Sequence, residues 1–508
     1  SAATTWLRFG ISRRERQIGM RSTLRHLWHT TWLVPSALFV LFSSLYTLTA
    51  SPDVQAGDSA EFQLVAAIGG VAHPTTYPLY TLLAQLTTWI IPFGTVAWRV
   101  TMLSVLCAAG AVALASVVLR RLGMSHPAAL LGALVLGVTP GVWNAATIAE
   151  VYALLLLLSM GFAYALCRFA TQPSQRHASM VVLIGMLGCL HHGLFVLCIA
   201  PAGALVVVET LRRHGWQLAL VPLIGVALLG LLPHTYPLIQ FARFGPFSGA
   251  DYALPATYYW GAPRTWSDVF DLLGGGVVRR GIFQVPDLST TITMSMALVR
   301  RLVYEFGPIG IGLGAFGAIC MLRTQPRQFV LTLVVALPAI AYVLALGPHI
   351  GDWPTFTLPL LLPWVWGVSL ATDWIRARWG YVRVIIVALI VLTVIWGGMR
   401  YRVSAKQHLT LYREFATAVH QALPANAVVI THWEQGMTLA YLRYAEGLRT
   451  DVWVDVVEPG DDPWLARAQR RYATDAVYFV GHEASVQGIP VTRILDTPYA
   501  DLYRLDSK

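Results

Sequence analysis

The sequence predicts an α-helical polytopic membrane protein of about eleven spans, carrying a small extracytoplasmic α/β domain at its C-terminal end. Three observations lead there. The first is composition: 56% of the 508 residues are hydrophobic and 12% are charged, whereas a soluble protein is about 25% charged. Mean hydropathy is +0.58. A water-soluble fold cannot bury so much apolar surface, which excludes a cytosolic enzyme, a disordered chain and a coiled coil. The second is the uneven spread of charge. Residues 1–400 carry 13 of the 26 acids and 25 of the 36 bases, and residues 401–508 carry the rest. An apolar body, 1–400, thus adjoins a tail of soluble composition, 401–508. The third is a series of apolar runs whose arginines fall in alternate loops.

A helix needs about 20 apolar residues to cross a roughly 30 Å hydrocarbon core. Candidate spans are Trp32–Ala50, Trp98–Leu119, Pro127–Val142, Ile148–Leu166, Ala178–Leu190, Gly193–Val208, Leu218–Leu232, Val303–Met321, Phe329–Leu346, Thr355–Leu370 and Val382–Gly397. One helix over 178–211 would reach about 51 Å, so two short spans with His191–His192 at their turn fit better. Arg120–Arg121, Arg168, Arg176, Arg212–Arg213, Arg323, Arg327, Arg376, Arg378 and Arg383 mark one face. By the positive-inside rule that face is cytoplasmic. It shares that side with the basic N-terminus, where Arg13, Arg14, Arg16, Arg21 and Arg25 precede a run too long for a cleavable signal, so a retained anchor is expected.

With eleven spans the tail lies outside a plasma membrane. The net charge of +10 is explained by this topology, and no nucleic-acid partner is expected. The five cysteines all fall in apolar runs, where inert thiols are the rule.

Three segments face outward. The loop 51–97 includes a surface-lying helical stretch, Tyr77–Ile91. The loop 233–302 is rich in arginine. In the tail, helical patterns over Leu411–Leu423, Met437–Tyr444 and Trp464–Tyr472 alternate with strand patterns over Ala427–Thr431, Asp451–Val457, Ala476–Val480 and Ala500–Leu505. That alternation suggests an α/β sandwich of about 100 residues.

Candidate chemistry collects on this outer side. Asp58 and Glu61 lie three apart, so on a helix they share a face and can act as a base or hold a cation. Equally, Asp58 as N-cap with Glu61 behind it reads as a capping box. Glu150 at the head of the fourth span has the same two readings, with Thr147 as cap. His191 and His192 suit phosphate binding, proton shuttling or interfacial anchoring. Asp352 sits in an outer turn. Arg264, Arg279 and Arg280 have no topogenic reason to lie outside and are candidate phosphate ligands, or contacts to lipid headgroups. Acids and cations at an outer membrane mouth suit a substrate with a lipid tail and an anionic head. An ion-coupled transporter would more often show ionisable groups in mid-span. A non-enzymatic scaffold or assembly subunit with a partner-binding tail is the competing class, and a transporter of a lipid-linked substrate is the third.

The run Gly57-Asp58-Ser59-Ala60-Glu61-Phe62 with His73-Pro74-Thr75-Thr76-Tyr77-Pro78-Leu79-Tyr80 resembles the signature of a large bacterial membrane family related to the animal transmembrane protein O-mannosyltransferase. Trp143-Asn144 with Glu150-Val151-Tyr152, Tyr259-Trp260-Gly261-Ala262-Pro263 and Pro424-Ala425-Asn426-Ala427 extend the likeness. Ala60 and Thr76 stand where that signature has glycines. The resemblance implies a GT-C type glycosyltransferase, which moves a sugar from a polyprenyl-phosphate carrier to an outer acceptor, a protein or a glycan. It implies Asp58 as base and Glu61 as its partner. His73, Arg264, Arg279 and Arg280 would stabilise the departing phosphate, and Tyr77 would stack on sugar or lipid. No cofactor is expected. A divalent cation among Asp58, Glu61 and His73 is conceivable, but no ligand spacing favours it.

Overall fold

The computed structural model describes residues 22–247, 258–276, 286–348, 351–378, 382–457, 463–472 and 476–506. All eleven apolar runs are helical, and their boundaries follow local chemistry. Helix α1 (Ser22–Thr49) leads through a short loop to α2 (Gly57–Ile68) and α3 (Pro78–Ile90), after which α4 (Val96–Arg121) returns across the bundle. Helix α3 leaves Leu82, Leu86, Trp89 and Ile90 exposed, the pattern of a helix lying at an interface. Helix α4 is the hub, packed against α1, α2 and α3. Its buried alanines, Ala108, Ala109, Ala111 and Ala115, permit close backbone approach where no hydrophobic effect drives helices together.

Helices α5 (His126–Val138) and α6 (Pro140–Thr147) form one apolar run bent by 58°. Pro140 causes the bend, because it lacks the N–H that would continue the ladder. Then come α7 (Tyr152–Thr171), α8 (Gln175–His191), a π-helical turn at Phe195–Ile199, α9 (Ala200–His214), α10 (Gln217–Leu231), α11 (Thr235–Phe244) and α12 (Trp266–Leu273). The body closes with α13 (Leu288–Thr324), α14 (Pro326–Leu346), α15 (Leu358–Arg378) and α16 (Val382–Ser404). Helix α13 breaks at Gly307, whose φ of 65° precedes Pro308.

Among the described residues eight helices are long and apolar enough to cross a membrane, or nine with the bent pair. The other two of the eleven runs, α8 and α10, have 17 and 15 residues and pack on each other. The chain is an integral membrane protein.

Two of the arginine-bearing segments meet: Ser125 N donates to Asp373 Oδ2 at 2.6 Å, joining the start of α5 to the C-terminal part of α15. The opposite end carries the tail. Its sheet runs β2 (Trp453–Val457), β1 (Val428–His432), β3 (Val477–Gly481), β5 (Asp501–Leu505), β4 (Val491–Leu495). The first three strands are parallel and the last two antiparallel. Helices α17 (Leu411–Ala422), α18 (Trp433–Tyr444) and α19 (Trp464–Arg471) complete it.

The tail is fastened to the first loop. Thr438 Oγ1 donates to Gln55 O at 2.6 Å, Ala97 N donates to the Tyr441 hydroxyl at 3.0 Å, and Arg413 bridges Asp53 and Glu446. Lys406 N reaches Thr49 O at 2.7 Å.

Candidate active site at the first loop

Asp58 occupies the first turn of α2, where the helix dipole favours an anion. The N-cap is Ala56, which makes no side-chain cap, so the capping-box alternative for Asp58 and Glu61 is not what folds. The carboxylates instead converge on His73. Glu61 Oε2 lies 2.5 Å from His73 Nδ1, Glu61 Oε1 accepts the His73 backbone N–H at 3.0 Å, and His73 Nε2 stands 3.7 Å from Asp58 Oδ2. Asp58 has 43% of its side chain exposed, His73 20% and Glu61 none. The order is therefore an open carboxylate, a half-covered imidazole and a closed carboxylate.

Burial opposes charge on His73, but Asp58, Glu61 with its hydrogen bond, and Glu150 outweigh it and hold the imidazole up at about 10. It is an imidazolium at neutral pH. Burial pushes the Glu61 carboxyl up, while His73 and the nearby Tyr258 hydroxyl pull it back.

Glu150 lies in the break between α6 and α7, and the cap of α7 is Val151 without a side-chain bond. The Thr147 box is therefore absent. Glu150 Oε1 accepts from Ser59 Oγ at 3.0 Å, and its backbone N–H donates to Ser104 Oγ at 3.3 Å. Burial, then the Asp58 charge, raise its carboxyl. Asp352 is raised by burial and by the charges of Asp58 and Glu434, which puts it at the rim of the same cluster.

Tyr77 is the hinge of an aromatic file. Its ring centroid stands 5.3 Å from His73, 6.1 Å from His191 and 6.0 Å from His192, and Tyr152 continues the file 5.4 Å beyond His192. Burial lowers His191 to about 4 and His192 to about 3, so both rings are neutral. His191 Nε2 is 3.1 Å from Val151 O, and Leu194 N donates to His192 Nδ1 at 3.0 Å. Thr76 stands at φ 65°, a region glycine enters at no steric cost. That conformation accounts for the glycine of the family signature at this position.

The second outer segment meets the first: Val71 N donates to Tyr258 O at 2.7 Å and Trp260 N to Val71 O at 3.0 Å. Gly70 is needed there, since a Cβ would stand 2.7 Å from Tyr258 O. Arg264 is not drawn into the cluster. It is exposed, and its backbone N–H donates to Asp268 in the cap of α12. Arg279 and Arg280 lie outside the described residues. Among those described, no set of three His, Cys, Asp or Glu is arranged to hold a metal ion. A cavity of about 540 Å³ within the helical body is also elsewhere. Leu119, Phe162, Gly203, Arg213 and Trp366 line it, and the acidic cluster contributes nothing.

One side chain of the candidate site was illegible in the sequence. Trp433, at the carboxyl end of β1, donates its Nε1–H to Asp58 Oδ1 at 2.9 Å. Ligand sites of open α/β sheets favour that end of parallel strands, but no motif singles out Trp433. Replacing it with Phe keeps the ring beside His73 and removes the donor. If the bond orients Asp58, turnover falls about 10- to 100-fold with KM nearly unchanged, in line with about 1.5–3 kcal/mol for a bond to a charged group. Steady-state kinetics would detect this, and a pure KM effect would refute it.

Residues 58–215 match the family model described as "Protein O-mannosyl-transferase TMEM260 N-terminal domain". The mouse Protein O-mannosyl-transferase TMEM260 is 26% identical over 464 residues, covering 82% of this chain and 61% of the relative. Its Dictyostelium discoideum counterpart is 25% identical over 308 residues, covering 56% of this chain and 36% of the relative. The chain thus spans about six-tenths and about a third of their lengths. Among solved structures, ArnT from Cupriavidus metallidurans bound to undecaprenyl phosphate has a TM-score of 0.60 at 11% identity, covering 93% of this chain and 98% of that one. The Archaeoglobus fulgidus oligosaccharyltransferase scores 0.53 at 11% identity, covering 91% and 70%. At such identities these likenesses speak to the fold. The chain is therefore a relative of the TMEM260 protein O-mannosyl-transferases, built on the GT-C fold it shares with ArnT.

Proposed function

We propose that the chain is an integral-membrane glycosyltransferase that moves a sugar, mannose on the relatives' names, from a polyprenyl-phosphate carrier to a hydroxyl on a protein or glycan. The acceptor side of the membrane is the side of the acidic cluster and the tail, taken as extracytoplasmic on the arginine distribution. The observation that carries the reading is Asp58: a carboxylate half open to solvent, bonded by Trp433 on one oxygen and facing the His73 cation on the other.

In the reaction the acceptor oxygen forms a bond to the anomeric carbon and gives its proton to Asp58. The bond from that carbon to the carrier phosphate breaks, and the electron pair leaves on the phosphate. Asp58 supplies negative charge beside the positive charge developing on the sugar, as carboxylates do in glycoside hydrolysis. Glu61, closed from solvent, acts through His73 and is a positioning residue. The neutral His191 and His192 with Tyr77 offer a surface for sugar or isoprenoid.

The test is direct. Purified chain in liposomes is given polyprenyl-phosphate mannose labelled in the sugar, together with an extracellular protein domain rich in Ser and Thr. Label should move to the acceptor only when both are present. Label that stays on the carrier with every protein and glycan acceptor tried would overturn the proposal and favour a scaffold.

A further inference from the structure

A second charged cluster, separate from Asp58, lies where α13 meets α16. Arg301 pairs with Glu305 one turn on, and the fully buried Glu305 also accepts Gly141 N at 2.9 Å. Arg400 comes from α16. Its guanidinium lies over Tyr304, 4.2 Å from the ring centroid, and over Trp396 at 4.3 Å, and Arg301 covers Tyr304 at 5.4 Å. Among the described residues Arg400 has no carboxylate within ion-pair distance, and the Nε atoms of Arg301 and Arg400 are buried without a hydrogen-bond partner. Two guanidiniums therefore face one carboxylate.

The surroundings define what could balance the excess. On the same two helices Val299, Val394, Ile395, Met399 and Val403 are 61, 60, 52, 65 and 57% exposed, an apolar surface of the kind that faces lipid on a membrane span. Both helices pass as membrane spans. Uncompensated arginine on such a surface is costly and marks a functional position. The end of α16 is tied to the tail side, because Thr147 Oγ1 donates to Ser404 O at 3.4 Å. The cluster thus sits in the half of the membrane nearer the acidic site. An anion reaching it must arrive on a lipid, and a phosphate takes paired guanidinium donors well.

We infer that Arg301 and Arg400, braced by Tyr304 and Glu305, form a binding site for the phosphate of a membrane lipid. The phosphate could belong to a bulk phospholipid or to an isoprenoid carrier, and the chemistry is shared. This inference goes beyond the transfer reaction and does not depend on it.

The full chain in detergent is titrated with undecaprenyl phosphate, phosphatidylglycerol, and the phosphate-free undecaprenol and diacylglycerol, with bound lipids counted by native mass spectrometry. Arg400→Gln is the informative variant, since it strands no acid partner. It should raise Kd for at least one phosphate lipid by about tenfold, the worth of one charge-assisted contact, and leave the phosphate-free lipids unmoved. Arg400→Lys keeps the charge without the fork, giving a smaller loss and a second reading should the first variant fold poorly. Loss for undecaprenyl phosphate alone identifies an isoprenoid site, loss for phosphatidylglycerol alone a phospholipid site, and loss for both a general one. Unchanged affinity for both, equal loss for the phosphate-free lipids, or no binding by the unaltered chain overturns the inference. Binding is read without sugar transfer, so this result and the transfer assay fail independently.

Discussion

Asp58→Asn is expected to abolish most of the proposed transfer activity while the protein folds normally. Turnover is expected to fall about 10²- to 10⁴-fold, the range contributed by a positioned general base. The structure says why folding survives. The Asp58 side chain is 43% exposed, and asparagine keeps a carbonyl oxygen able to accept the Trp433 N–H now at 2.9 Å. The ion pair at stake, His73 at 3.7 Å, is the looser of the two that His73 makes. Thermal unfolding should therefore shift by no more than the roughly 1 kcal/mol of a partly exposed pair. KM for the lipid-linked donor should hardly move, because the lost group handles the acceptor's proton. Label transfer under single-turnover conditions separates these effects. Turnover within threefold of the unaltered protein would remove Asp58 from the base role and leave Glu150 as the next carboxylate to test.

Much of this arrangement was legible in the sequence, for reasons that differ by element. Apolar runs report helices because backbone in lipid must satisfy its own hydrogen bonds, and each of the eleven runs is helical. Boundaries were read less well where polarity masks a helix. Helix α13 starts at Leu288, fifteen residues before the expected Val303, because Ser289, Thr290, Thr291, Arg300 and Arg301 give its first turns the look of a loop. The edge strand β4 escaped because its central residues are exposed and it lacks a buried face.

At the site, two residue patterns suggested caps. In the structure their carboxylates reach sideways, Glu61 to His73 and Glu150 to Ser59, because partners distant in the chain outcompete the local N–H groups. Trp433 was hidden for a related reason: its bond to Asp58 joins residues 375 apart, and no local spacing encodes such a contact. Nothing in the sequence ties Arg400 to Arg301 either, until two helices bring them to one tyrosine.

Loss of Glu61 should damage stability more than any other single change at the site. Its side chain is closed to solvent and both oxygens are committed to His73. Glu61→Ala leaves an imidazolium covered on most sides, with Asp58 as its remaining close carboxylate and a backbone N–H without an acceptor. Breaking a buried pair from one side costs about 3–5 kcal/mol, a large fraction of a typical domain's stability. The pH dependence distinguishes the pair from mere packing. His73 rises from 6.5 to about 10 on folding, so the folded state binds its proton more tightly. The stability it contributes is complete below pH 6.5 and is lost as pH climbs through 10. Glu61, raised by burial, slopes the same way. His191 and His192, lowered to about 4 and 3, act oppositely. Their contribution is present above pH 6.5 and lost as pH falls towards those values. Among the histidines, the fall in stability above pH 6.5 therefore belongs to His73 and the fall below it to the His191–His192 pair. Glu61→Gln keeps the shape but removes one of the charges, with its hydrogen bond, that hold the imidazole protonated beside Asp58. It should flatten the alkaline limb between pH 6.5 and 10 and leave the acid limb intact, as followed by tryptophan fluorescence on thermal unfolding. An alkaline limb as steep in Glu61→Gln as in the unaltered chain would mean that the pair does not set it.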